Sequence, residues 1–270
     1  MPERISFPRD LFRGTASFYA RYRPPYPQPL IEGLIERVRP SGGGRMVDLA
    51  CGTGLVTLPL ADRFAEVLAV DQEMEMIEMG RRLAAERGLR KVRWEALPAE
   101  ELTMTRQSCE LVTIGSAFHR LDRPAVTRRI FDWLRPGGTL AILDALSLWQ
   151  VDEPWVRAVA AAIKPFQPAD RQAEAAAVTD RELTQRDILA RAGFQELEDR
   201  EYSAVQTWTA GAIVGYLYST SQCSHDGVGE RRQPFEAAVR RALPEPDHGG
   251  RYAFDLEFHC LTGKRPADGS

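Results

Sequence analysis

The chain has 270 residues, 44% of them hydrophobic and 27% charged, which is the balance of one large soluble globular domain. Its net charge of −3 provides no basic field to draw in a polyanion, so nucleic acid is not expected as a partner. Cys51, Cys109, Cys223 and Cys260 show neither zinc-ligand nor redox spacing, no apolar leader opens the chain, and no apolar run reaches the ~20 residues that span a bilayer, so a cytoplasmic protein without metal or membrane association is expected.

Residues 1–27 set Phe7, Phe12, Phe18, Tyr19, Tyr22 and Tyr26 among Arg and Pro. A short helix is expected about Phe12–Tyr22, ended by Pro24 and Pro25. Pro29 opens a helix to about Val38, with Leu30, Ile31, Leu34, Ile35 and Val38 on one face. After the turn Ser41 to Gly44 comes Val47-Asp48-Leu49-Ala50-Cys51-Gly52-Thr53-Gly54, then Leu55-Val56-Thr57-Leu58 at helical spacing. This reads as strand, loop and helix. The missing Cβ at Gly52 and Gly54 is expected to let a ligand approach the backbone, with the loop amides and a helix N-terminus facing it. The order is neither the Gly-x-Gly-x-x-Gly of a dinucleotide fold nor a P-loop, which has a Lys after its last Gly. A second strand, Val67 to Val70, ends at Asp71, about 20 residues past the loop, where a carboxylate is placed to hydrogen-bond a ribose diol.

Strands and helices alternate to about Asp144, which predicts a parallel sheet covered on both faces. The helix after Asp71 carries Met74, Met76, Ile77, Leu83 and Ala84, and Asp122 is expected to cap the helix of Val126, Ile130, Phe131 and Leu134. Residues 145–178, with Trp149, Trp155, Phe166 and an Ala-rich run, break the alternation and read as inserted helices. Thr179-Asp180-Arg181-Glu182 reads as a capping box for a helix with Leu183, Ile188 and Leu189 that stops at Gly193. Phe194 to Val205 reads as a sixth strand. Thr209 opens an inserted helix, Gln233 to Leu243 forms another, and Arg251 to Thr262 alternates as a final antiparallel strand before the tail Pro266 to Ser270. Open α/β sheets bind ligands outside the carboxyl ends of their strands. Inserts at 145–178 and 206–250 leave the core after strands five and six, so they are expected to cap that edge.

The glycine loop between Asp48 and Asp71 resembles the first motif and its partner in class I S-adenosylmethionine-dependent methyltransferases. Glu95 to Leu102, Leu111 to His119, Leu134-Arg135-Pro136-Gly137-Gly138-Thr139-Leu140 and Ala192-Gly193-Phe194 continue the resemblance in order. It covers about residues 45–145, 180–205 and the last strand, and departs at Ala50, where many members have Gly. Tyr19, Tyr22, Arg23 and Tyr26 resemble the YxxYRPxYP segment that opens many small-molecule members and folds over the cofactor. The whole is similar to the UbiE-like, type 11 group.

The resemblance implies one Rossmann-like domain over residues 1–270. Its seven-stranded mixed sheet would have strand seven antiparallel, helices on both faces, a helical lid at 1–40 and a helical cap from the inserts. It implies S-adenosylmethionine as cofactor, held by Asp48, Ala50, Cys51, Gly52 and Gly54, with Asp71 and Gln72 at the ribose. Met76 would pack on the adenosyl group, Ala99 and Glu100 lie at the adenine edge, Gly115 and Ser116 beside the methionine moiety, and Tyr22 and Arg23 at its carboxylate. Asp48 reads equally as a turn carboxylate, and both roles can hold at once.

Methyl transfer is an in-line displacement at a sulfonium carbon. The protein orients the partners, excludes water and, for a hydroxyl or activated carbon, removes a proton. His119, just after strand four, is the candidate base because imidazole titrates near neutrality; the alternative is a pocket wall. Tyr19, Tyr26, Arg120, Asp144 and Trp149 are candidate substrate contacts. Asp144-Ala145-Leu146 lacks the second carboxylate and Asn of a metal-dependent O-methyltransferase. The expected acceptor is a small aromatic or apolar compound, such as a natural product, methylated on oxygen or carbon rather than nitrogen. Alternatives are a protein or RNA methyltransferase, and a protein that binds the cofactor without transferring methyl.

Overall fold

The computed structural model describes residues 11–167, 183–246 and 249–267. Seven strands form one sheet in the order β3-β2-β1-β4-β5-β7-β6. They are β1 (Arg45–Leu49), β2 (Glu66–Asp71), β3 (Val92–Ala96), β4 (Cys109–Gly115), β5 (Leu134–Ala145), β6 (Gln195–Trp208) and β7 (Tyr252–Lys264). The first five run parallel, and β7 is antiparallel to both β5 and β6. Strand order reverses between β1 and β4, which opens a crevice at their carboxyl ends.

The helices are α1 (Ala16–Tyr22), α2 (Gln28–Val38), α3 (Thr57–Leu60), α4 (Met74–Glu86), α5 (Arg123–Trp133), α6 (Pro154–Ile163), α7 (Gln185–Arg191), α8 (Ala210–Tyr218), α9 (His225–Val228) and α10 (Arg232–Ala242). Period-two alternation sorts the strand residues between two cores. Val47, Val112, Ile114 and Ile142 bury against α5 and α7 (Val126, Ile130, Ile188, Leu189). Met46, Leu111, Ala141 and Leu143 bury against the opposite layer, which includes Leu30 and Leu34 of α2. Each fully buried Leu, Ile or Phe there contributes about 1.5–3 kcal/mol.

Asp122 and Thr209 cap α5 and α8 as expected, by accepting from Ala125 N and Ala212 N. Other boundaries move. The first helix starts at Ala16 rather than near Phe12, because Thr15 Oγ1 donates to Phe12 O and closes a turn before it. The capping box expected at 179–182 lies outside the described residues. In its place Thr184 opens α7, its hydroxyl accepting from Asp187 N at 3.1 Å and donating to the Asp187 carboxylate at 2.6 Å. Beyond the end of β5, β6 and β7 pair on to Trp208 and Tyr252. This two-strand extension seats the inserted helices: Trp155 of α6 lies against Tyr252 and Phe254, and Trp208 against Phe254 and Tyr216 of α8. No described helix is long and apolar enough to cross a membrane.

At the amino end of the sheet, Glu110 is buried and accepts from Ser41 N (3.0 Å), Ser41 Oγ (3.1 Å) and the Arg135 guanidinium. A Cβ on Gly44 would collide with this carboxylate. Gly44→Ala should therefore separate a buried charge from its donors and lower the unfolding free energy by about 2–3 kcal/mol, read by urea titration.

Candidate functional site

The loop after β1 is closed by its own amides. Cys51 N donates to Val70 O at 3.0 Å and Gly54 N to Cys51 O at 2.9 Å. Asp71, at the end of β2, accepts Gly52 N on Oδ2 at 2.8 Å and Glu73 N on Oδ1 at 2.9 Å. Burial raises this carboxyl above the usual range, and the Glu73, Gly52 and Gln72 amides oppose the rise. Each oxygen keeps acceptor capacity beyond its one amide.

Ala50 sits at φ 52 and Gly52 at φ 54, so the loop passes twice through the left-handed region. Ala50 is therefore strained where glycine would not be. Ala50→Gly should raise stability by about 1 kcal/mol, measurable as a higher melting temperature. Gly54 corrects the expectation placed on it. A Cβ there would lie 2.7 Å from the Trp94 ring and 3.2 Å from Leu58, so this glycine makes room for the core rather than for a ligand.

Asp48 is buried, with Oδ2 accepting from Thr57 Oγ1 at 2.5 Å and Oδ1 from Thr113 Oγ1 at 2.7 Å. Burial pushes its carboxyl up to about 6, against the pull of those two hydroxyls. It thus fixes the turn and borders the cavity at once.

That cavity measures about 1070 Å³ and lies over the carboxyl ends of β1, β4 and β5. It brings together Asp48, Cys51, Gly115, Ser116, His119, Arg120 and Asp144 from the sheet edge, Tyr19, Arg23 and Tyr26 from the N-terminal segment, and Trp149 from the turn after β5. Its far wall is apolar where Leu146, Leu148, Ile163, Trp208, Tyr216 and Leu256 meet.

Several expected residues stand off this wall. Ala50 and Gly52 in the loop, and Asp71 clamping it, do not line the cavity, and Gln72 is exposed. Met76 is buried within α4 and Ala99 in the core beneath α5. The Glu100 carboxylate accepts from Asp122 N at 3.2 Å, at the start of α5, so it is engaged away from the cavity. Tyr22 does not line the cavity either. Its ring occupies the space a side chain on Gly215 of α8 would need, and stacks with Phe18 at 6.3 Å.

The N-terminal segment is anchored at four places. Phe12 N and Gly14 N donate to the Glu73 and Glu75 carboxylates at 3.3 and 2.7 Å, beside Asp71. The Arg23 guanidinium lies between the Tyr19 and Tyr216 rings, 4.9 and 5.0 Å from their centroids, and donates to Ser219 Oγ and O. Tyr26 Oη donates to Leu143 O at 3.2 Å and is 3.0 Å from Ser116 Oγ, which accepts from Ala145 N. Burial holds the Tyr26 phenol well above its usual range, so it stays neutral. His119 and Arg120 share the short turn after β4, with the Arg120 guanidinium 5.0 Å from the Phe12 ring.

The side chains of His259, Asp199 and Gln185 also line the cavity, with no motif to mark them. The only available signal was alternation in β7. That pattern puts Tyr252, Phe254, Leu256 and Phe258 on one face, which leaves His259 and Leu261 on the other.

Residues 46–138 match the family described as a methyltransferase domain. The chain is 30% identical over 199 residues to trans-aconitate 2-methyltransferase of Pseudomonas aeruginosa, covering 70% of this chain and 68% of that protein. It is 28% identical over 261 residues to nocamycin O-methyltransferase of Saccharothrix syringae, covering 90% and 93%. It spans about half the length of other curated relatives it matches. The solved YcgJ protein of Bacillus subtilis shares the fold, with a TM-score of 0.54 at 16% identity over 88% of this chain and 98% of that one.

Proposed function

Because the chain belongs to the class I S-adenosylmethionine-dependent methyltransferases, we propose that it transfers a methyl group from S-adenosylmethionine to a small organic acceptor. The observation that carries this reading is one continuous cavity of about 1070 Å³, running from the Asp48–Cys51 edge to the tryptophan-lined wall of the inserts. A small-molecule site usually takes about 300–1,000 Å³, so the space is ample for a small acceptor beside the loop. The apolar far wall favours an aromatic or otherwise apolar acceptor. Likeness to an O-methyltransferase along nearly the whole chain supports oxygen as the atom methylated.

The residues at the loop fit the cofactor. Asp71 has acceptor capacity left for a ribose diol, and the Thr53 hydroxyl is buried in the loop without a partner among the described residues. Bound there, the cofactor supplies an activated methyl on sulfur. The protein supplies placement. Tyr26 and Ser116 fix the ends of β4 and β5, the described residues of segment 1–40 act as a lid, and those of inserts 145–178 and 206–250 act as a cap that excludes water. An imidazole nitrogen of His119 takes the acceptor's hydroxyl proton as the new bond forms.

Calorimetry with S-adenosylhomocysteine tests the cofactor site. Methyl-labelled cofactor with a panel of phenols tests the acceptor class. Label is expected in a phenol, and His119→Ala should lower turnover about 100-fold with cofactor affinity unchanged. Label found only in added protein or RNA would overturn the small-molecule reading, and unchanged turnover would remove His119 as base.

A further inference from the structure

At the end of β5 the cavity turns away from the inserts and reaches the opposite face of the sheet, where α7 packs. Asp144 stands at this corner, across from His259 on β7. Gln185 Nε2 donates to Asp144 Oδ2 at 2.7 Å. Gln185 is itself fixed by the Thr184–Asp187 capping box, which sets the first turn of α7. A carboxylate offers about four acceptor positions over two oxygens. The protein fills one. Asp144 Oδ1 accepts no hydrogen bond from the described residues, and Asp144 is half-buried on the cavity wall.

A hydrogen bond to a charged acceptor is worth about 1.5–3 kcal/mol, so a ligand donor seated on this oxygen gains affinity. The surroundings fix the sign of the ligand group. Asp199 is a second carboxylate on this wall, and Arg186, also on the wall, donates to Leu197 O at 3.2 Å. Directly on Asp144, which only accepts, a hydrogen-bond donor is favoured and a second carboxylate is not.

We propose that Asp144, positioned by Gln185, forms an acceptor subsite that binds a free hydroxyl on the ring of an aromatic substrate, so that the preferred acceptors carry a hydroxyl besides the one methylated. Calling the ligand an acceptor rests on the methyltransferase reading, but the subsite itself is tested by binding alone. Trp149 and Trp208 line the cavity and report occupancy by fluorescence. The full chain is titrated with dihydroxynaphthalene, its dimethyl ether, aminonaphthalene and hydroxynaphthoate. The dihydroxy compound is expected to bind at least about 10-fold more tightly than the ether and the carboxylate, the size of one hydrogen bond to a charged group. Asp144→Leu should erase that preference, and Asp144→Asn, which keeps the shape, should reduce it. Gln185→Leu should cut the preference about 3-fold without changing the melting temperature, which a merely structural residue would shift.

Equal affinities in the wild type, or a preference that survives Asp144→Leu, overturns the subsite. Tighter binding of aminonaphthalene than of the dihydroxy compound overturns the hydroxyl assignment in favour of an amine. Failure to bind S-adenosylhomocysteine or to transfer label refutes the enzymatic reading instead and leaves these binding outcomes interpretable.

Discussion

Asp71→Ala should weaken S-adenosylhomocysteine binding by at least about 100-fold while leaving a folded protein. The carboxylate ends β2 and accepts two backbone amides, Gly52 N from the glycine loop and Glu73 N from the entry to α4. It is therefore the clamp that shapes the loop, and under the proposed function it is also the ribose contact. Hydrogen bonds to a charged group are worth about 1.5–3 kcal/mol each, so losing a ribose diol's two bonds alone removes about 3 kcal/mol or more. Asp71→Asn separates the two roles. Its shape is kept, but its NH2 must face one of the two amide donors, so an intermediate loss of about 10-fold or more is expected. Calorimetry reads the affinity, and thermal melting confirms the fold. Undiminished binding in Asp71→Ala would move the cofactor away from the end of β2.

The part of this arrangement that was legible in the sequence is the part encoded locally. Val47 and Leu49 alternate with Met46 and Asp48, so the strand and the placing of Asp48 opposite Val47 follow from period two. Asp71 follows from its distance to the loop, and the caps at Asp122 and Thr209 from residue type. What stayed hidden depends on contacts between distant segments. Nothing near Tyr22 announces that its ring will seat on Gly215, nor anything near Gly54 that Trp94 needs its space. Glu100 shows the same limit, since a carboxylate that composition marks as available is engaged by the amide of Asp122. Asp144, His259 and Gln185 come from two strands and a helix far apart in the chain. Only the sheet register and the capping of α7 bring them to one corner.

Asp48 provides the second large effect, and its sign runs against the usual acid denaturation. Its carboxyl ordinarily titrates at 3.8 and is pushed up to about 6 in the fold, chiefly by burial. Between those two values the folded chain holds a proton that the unfolded chain has released. Stability from this group is therefore complete below about 3.8 and is lost as pH rises through about 6. The difference amounts to about 3 kcal/mol, present at low pH and absent at neutrality. Removing the charge while keeping the shape should abolish this slope. Asp48→Asn is expected to match or exceed the wild type at pH 8, by up to about 3 kcal/mol, and to lose that advantage near pH 4. The Asn carbonyl can still accept from one of the Thr57 and Thr113 hydroxyls, and the other hydroxyl can rotate to accept from the new amide. Urea unfolding across this pH range reads the difference between variant and wild type, which cancels the contributions of every other carboxylate. A difference that is flat with pH would mean that Asp48 stays ionised throughout, with the two threonine hydroxyls outweighing burial.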